Sequence, residues 1–256
     1  MPDNFADHFK GKGALAHVVD ARIKGRLAAS ESHGLEIPGH IGELLYSIKE
    51  TTALLLLLWV SMQAMRIPIS QILNIYIFLF FGWMIWSAGR SAFLGWLRLQ
   101  RLNRLITEEK WEIEHHRDQE KQELEALYKA KGFSGKLLQE VVEVLMADDN
   151  RLLQVMLEEE MGLTLSSFEH PLKHALFSIT GVFLTFLTIC GSIILSPKYG
   201  IYISGILMVA LAILIASKKE KNELMSSLVW LLGIFGISIA SVYFISQILN
   251  VFVFKL

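Results

Sequence analysis

The chain has 256 residues, a formal net charge of −1, 53% hydrophobic residues and 19% charged residues, against about 45–50% and about 25% in a typical soluble domain. That balance excludes intrinsic disorder and a basic nucleic-acid-binding domain. The single cysteine, Cys190, excludes an intrachain disulfide framework and any zinc site built from several thiolates.

Residues 1–43 form a polar arm. It mixes Asp3, Asp7, Lys10, Lys12, Asp20, Arg22, Lys24 and Arg26 without a long apolar run, so it does not read as a cleavable signal peptide. It also holds His8, His17, Glu31, His33, Glu36 and His40. These could form a second metal site, or belong to an amphipathic segment packed on a surface.

Residues 44–96 carry the first two membrane spans, Leu44–Met65 and Ile72–Gly89. Residues 166–256 carry three more, Ala175–Leu195, Tyr199–Ser217 and Leu224–Leu249. Each holds about 20 residues, the length needed to cross a bilayer core. Lys and Arg collect in the arm, after span two (Arg98, Arg101, Arg104) and after span four (Lys218, Lys219, Lys221), whereas the other side has only Arg66, Lys198 and Lys255. The bias places the N-terminus and the 97–171 loop in the cytosol and the C-terminus on the opposite side.

Between spans two and three the composition changes. From Leu105 to Leu163 there are 15 Asp and Glu against 7 Lys and Arg, a net of −8, which leaves +7 for the rest of the chain. Anionic lipid attracts basic segments, so lipid contact does not explain this acid; a cation does. Residues 97–165 read as a three-helix cytosolic domain. The first helix runs from Arg98 to Lys131 and ends at Gly132. Ser134 caps the second, Gly135–Met146. Asp148 or Asp149 caps the third, which ends at Glu160 or Met161 before Gly162.

Within ITEEKWEIEHHRDQEKQELEALY, Glu109 and Glu112 are three residues apart, as are Glu120 and Glu123. On one continuous helix the eleven-residue repeat of the pairs closes to within about 20° of whole turns. All four carboxylates then share a stripe with His116, and Met156 and Glu160, four apart on the third helix, can face it. Like charges on adjacent turns repel by a few tenths of a kcal/mol per pair, and a divalent cation reverses that sign. Carboxylates with one thioether and one imidazole suit Fe²⁺ or Mn²⁺. Spacing alone leaves open a solvated acidic face, with Lys110, Arg117 and Lys121 beside it.

At these residues the sequence resembles the vacuolar iron transporter family. The phrases EKWEIE, EKQELEALYKAKGF and LEEEMGL, and the ungapped register of Glu109, Glu112, Glu120, Glu123, Met156 and Glu160, carry the likeness. It implies an all-α protein with five transmembrane helices and a three-helix metal-binding bundle between spans two and three. It further implies a homodimer in the lipid bilayer that moves Fe²⁺ or Mn²⁺ out of the cytosol against protons, with no organic cofactor.

The first two spans depart from that family. Where it has a glycine-rich S-D-G-L phrase, this chain has IKETTALL, with Glu50 at the aspartate position. Where it has a Met and a Glu, this chain reads WSAGRSA, with Ser87 near the Met and Arg90 and Ser91 near the Glu. Glu50 and Arg90 lie at similar depth, and ionised groups inside spans find partners, so the two are expected to pair. The transport path is thus assigned to Glu50, Arg90 and Ser87. His170 and His174 stand at the start of span three, Met62, Met65 and Met84 lie within spans, and Gly181, Gly191, Gly205, Gly233 and Gly236 suit close helix packing. No phosphate loop, nucleophile elbow or redox cysteine pair is present, so the chain does not read as an enzyme. Two functions remain: a divalent-metal transporter, or a membrane-anchored metal sensor or buffer that binds without conducting.

Overall fold

A computed structural model of the chain describes residues 18, 19, 22, 38–163 and 169–252, with side chains to Ile248. The expectations for His8, His17, Glu31, His33 and Glu36 lie outside those residues. Among the described residues the protein is all helical. Its helices are α1 (Gly39–Ala64), α2 (Ile69–His115), α3 (Arg117–Ala130), α4 (Gly135–Met146), α5 (Asp149–Val155), a π-helical turn (Met156–Glu160), α6 (Pro171–Leu195), α7 (Gly200–Glu220) and α8 (Leu224–Phe252). Five of them, α1, α2, α6, α7 and α8, are long and apolar enough to cross a membrane. The chain divides into two compact units, a span unit (Glu31–Gly95 with Glu169–Leu256) and an acidic unit containing Trp96–Phe168.

In the span unit α1 is central and packs on α6, α7 and α8. Its Leu55, Leu56, Trp59 and Val60 meet Ile72 and Tyr76 of α2, Val182, Phe186, Ile189 and Ile193 of α6, and Ile201 of α7. Half of the apolar stretch of α1 is buried, against none of that of α8. The outer helices therefore present Phe78, Trp86, Trp230 and Phe244 outward, as side chains facing hydrocarbon do.

Close approach decides which glycines matter. A Cβ on Gly181 would lie 2.7 Å from the Leu44 carbonyl oxygen and 3.0 Å from Ser47 Cβ, and one on Gly205 would lie 2.6 Å from Leu56 Cδ1. Gly191, Gly233 and Gly236 meet nothing within 4 Å, so the packing role expected of them is not seen.

The acidic unit has two small apolar cores. One joins Leu102, Leu105, Leu157, Met161 and Leu163; the other joins Ile113, Leu124, Val142, Leu152 and Met156. Gly132 (φ 97°) and Gly162 (φ 67°) adopt left-handed backbone where helix stops were expected. Asp148, rather than Asp149, caps α5 by accepting from Arg151 N at 2.8 Å. Ser134 precedes α4 in extended conformation but makes no side-chain cap bond.

The long helix expected from Arg98 to Lys131 is broken. His116 leaves helical geometry (φ −129°, ψ 36°) and its carbonyl accepts from Gln119 N and Glu120 N, starting a new helix. Arg117 ties the new start to the α4–α5 corner, donating to Asp149 Oδ1 at 2.6 Å and to the Met146 carbonyl at 2.5 Å.

Gly181→Ala is expected to destabilise the span unit by about 1–3 kcal/mol, the usual cost of overpacking, because the added methyl meets backbone rather than a mobile side chain. Gly236→Ala, in open space, is the control. Thermal melting of the full chain in detergent should separate them, and equal melting would contradict the packing.

Candidate functional site: a buried carboxylate cluster and a polar span interior

Glu109, Glu112, Glu120, Glu123 and Glu160 are each at most 3% exposed, and Met156 is fully buried. Three elements supply them: the last turns of α2, the first two turns of α3, and the π turn. The single stripe read from the sequence is therefore replaced by a convergence. On one straight helix Glu109 and Glu120 would be about 16 Å apart along the axis, too far to share an ion. With the helix broken at His116, the charge of Glu120 is the largest electrostatic influence on Glu109, followed by Glu160, Glu112 and Glu123.

The π turn does related work at the third element. Wide turns of this kind are common at functional sites. Of three consecutive glutamates, Glu158 accepts from Gln154 at 3.1 Å, Glu159 pairs with Lys131, and Glu160 alone is buried. Arg22, in the described part of the N-terminal arm, donates to the Glu159 carbonyl at 2.8 Å.

The electrostatics are those of a dry, acid-rich site. Burial, reinforced by the negative charge of its four neighbours, pushes the Glu109 carboxyl well above the usual carboxylate range. Burial, with the charges of Glu123, Glu160 and Glu112, pushes Glu120 up to about 9. Glu109 Oε1 and both oxygens of Glu120 are out of solvent contact and have no hydrogen-bond partner among the described residues. Among those residues no three His, Cys, Asp or Glu side chains stand in an arrangement that could hold a metal ion without moving. The carboxylates are thus gathered but not closed into a cage. His116 turns its ring to the edge of Trp111, with centroids 5.2 Å apart, and is not among the groups that perturb Glu109 or Glu120.

In the span unit the pair expected between Glu50 and Arg90 is present. Arg90 Nη2 donates to Glu50 Oε2 at 3.0 Å, and the guanidinium lies over the Tyr46 ring, 4.7 Å from its centroid. Tyr46 in turn hydrogen-bonds Glu50. Ser87 is buried elsewhere, in a triangle of hydroxyls with Ser47 and Ser178. Sequence reasoning missed Glu43, which is fully buried on α1. Its signal was the seven-residue spacing to Glu50, two turns along one side of the helix, but it fell one residue before the assigned start of span one.

The histidines are placed structurally. His40 N donates to Glu169 Oε2 at 2.9 Å, and its Nδ1 lies 2.5 Å from Oε1. Lys173 completes that pair, so hydrogen bonds to Lys173 and His40 overcome the opposing effect of burial and hold Glu169 below the usual carboxylate range. His170 caps α6 by accepting from Leu172 N at 3.2 Å. Met62 and Met84 pack against the span core, and Met65 is exposed.

A sequence model of the VIT family matches residues 98–245, more than half of the chain. The match takes in the whole carboxylate cluster and most of the last three spans, and leaves the first two outside. No curated protein matches the chain.

A carboxyl whose folded pKa is raised binds a proton in the folded state that the unfolded chain has lost. Its contribution to stability is therefore fully present below about 4.5 and disappears as pH rises toward about 9. In metal-free buffer, hydrogen exchange in α3 and the π turn of the full chain should accelerate across that window, and Glu120→Gln should flatten the dependence. Exchange protection in these elements that rises with pH would contradict the site.

Proposed function

Because the chain belongs to the VIT family, a family of membrane transporters, we propose that it carries divalent Fe²⁺ or Mn²⁺ out of the cytosol in exchange for protons, as a homodimer in the lipid bilayer. The observation that carries this reading is the buried convergence of Glu109, Glu112, Glu120, Glu123 and Glu160 beside Met156. Five carboxyl groups removed from water are costly as neighbours of one another. A divalent ion among them turns mutual repulsion into attraction and supplies the missing partner of Glu120. The hard oxygens suit Fe²⁺ or Mn²⁺, and the Met156 thioether adds a softer ligand that favours the transition metals over Mg²⁺. Such a site binds metal by releasing protons, so affinity rises with pH.

In this reading the acidic unit lies in the cytosol, where the Lys and Arg bias places it, and captures the ion. Glu50, Arg90 and Ser87 belong to the path through the spans. Metal approaching Glu50 must displace Arg90, so the pair acts as a gate that opens when a cation takes over the carboxylate.

A second reading is favoured by that same pair. An arginine already neutralising Glu50 at 3.0 Å is also what a chain would show if it kept the acidic unit as a sensor or buffer and no longer conducted.

Mn²⁺ titration and flux of the full chain in proteoliposomes distinguish the two: binding with flux supports transport, and binding without flux supports the sensor. Glu120→Gln should weaken binding at least about tenfold while making the metal-free protein more stable at pH 8, since folding no longer requires a carboxyl that the unfolded chain has ionised to take up a proton. A variant that binds as tightly as the parent removes Glu120 from the site. Glu50→Gln tests the gate separately, because unchanged flux rejects it.

A further inference from the structure

Three helices of the span unit each direct a polar pair, four residues apart, into the buried interior. The pairs are Glu43 and Ser47 on α1, Ser87 and Ser91 on α2, and His174 and Ser178 on α6, none more than 4% exposed. One member of each pair meets the others. Ser87 Oγ lies 2.7 Å from Ser178 Oγ, and Ser47 Oγ lies 2.8 Å from Ser178 Oγ and 3.4 Å from Ser87 Oγ. Helical spacing then puts Glu43, Ser91 and His174 in one layer about a turn away, about 6 Å along each axis, toward the end of the bundle where α1 and α6 begin. The register agrees with Gly95, one turn past Ser91, where a Cβ would lie 3.4 Å from His174 Cδ2. Ser91 Oγ is out of solvent contact and has no hydrogen-bond partner among the described residues. In the other direction the column continues with Trp83 Nε1 donating to Thr51 Oγ1 at 2.9 Å and Tyr76 donating to the Leu55 carbonyl at 2.5 Å.

We propose that Glu43, His174 and Ser91 form a proton-binding site at the cytosolic end of this column, with the Ser47–Ser87–Ser178 triangle as its relay. The exchanged proton then travels inside one protomer, sharing Ser87 with the proposed path but bypassing the Glu50–Arg90 gate. The inference rests on the transport reading. The ligand chemistry favours a proton over a metal. The layer offers one carboxylate, one imidazole and one neutral hydroxyl, too little negative charge for a divalent ion, whereas a carboxyl in a dry interior can carry a proton and no net charge. Each hydroxyl of the triangle both donates and accepts, so it passes a proton by taking one on one side and releasing its own on the other. Glu43 receives that proton on a carboxylate oxygen and loses it to the cytosol.

The ionisable groups around Glu43 allow coupling to the metal path. Tyr46 feels the charges of Glu43, Glu50 and Arg90 together, and His174 Nε2 stands 3.7 Å from Glu169 Oε2. His40 and Lys49 flank Glu43 on α1, Lys173 follows on α6, Lys218, Lys219 and Glu220 end α7, and α8 contributes only the distant Tyr243. A proton on Glu43 thus changes the field at Tyr46, which hydrogen-bonds Glu50.

The test uses the full chain in proteoliposomes, with Mn²⁺ as the probe and an internal pH dye. The number of protons moved per Mn²⁺ should fall toward zero in Glu43→Gln, whose amide cannot take up the proton, and Glu43→Asp should restore it. An unchanged ratio overturns the proposal. If the parent chain moves no Mn²⁺ at all, the transport reading fails, and the proton site is decided by infrared spectroscopy of the same samples. A protonated-carboxyl band that titrates with pH and disappears in Glu43→Gln upholds the site, and a spectrum unaffected by that substitution overturns it.

Discussion

Five carboxyl groups that have lost their water and face one another are the constraint to which the acidic unit is fitted. Left ionised and unaccompanied, Glu109, Glu112, Glu120, Glu123 and Glu160 would drive the helices apart. The two apolar cores, which include Leu157 and Leu124, oppose that force with aliphatic contacts. Polar ties at the rim, from Arg117 to Asp149 and from Lys131 to Glu159, fix the corners where the chain reverses. Stability in this unit is held in tension with charge, and protonation of Glu109 and Glu120 shifts the balance.

The span unit handles the same problem differently. It holds few ionisable groups, and those it buries are distributed. Glu50 is neutralised by Arg90 and screened by Tyr46. Hydroxyls satisfy one another across three helices or bond back to the carbonyl four residues earlier, as Thr52 and Thr185 do. Such bonds are small terms within a membrane. Their consequence is geometric, because small hydroxyl residues and Gly181 let α1 and α6 approach closely.

Much of this was legible in the sequence because it rests on local rules. Five runs of apolar residues set the spans, glycines at 132 and 162 set helix ends, and the three-residue spacing of each glutamate pair set its shared face. The pairing of Glu50 with Arg90 followed from the cost of an isolated charge in a span. The break at His116 was not legible. WEIEHHRDQE holds no Gly or Pro to stop a helix, its two histidines and aspartate being only weak helix formers, and tertiary ties at Arg117 and the packing of Leu124 with Ile113 accompany the break. The π turn escaped for the same reason, since LEEE is an ordinary helical phrase. Glu43 was passed over because hydropathy locates a span edge only to within a turn, and a carboxylate at that edge reads as exposed until neighbouring helices cover it.

The π turn also sets how this segment can vary in length. It holds one residue more than an α-helical turn, so it acts as a phase shifter between α5 and the chain beyond. Deleting one residue among Leu157, Glu158 and Glu159 would restore the ordinary ladder without lengthening any loop. It would leave the residues beyond the turn facing as they do now, because the turn absorbs the extra residue; tightening the turn at unchanged length would instead rotate them by about 100°, swinging Glu160 away from its companions and Met161 and Leu163 away from Leu102 and Leu105. Insertions and deletions are usually absorbed where chains are exposed. Here a helix absorbs the extra residue itself, and the wide turn keeps Glu160 buried with the other carboxyl groups.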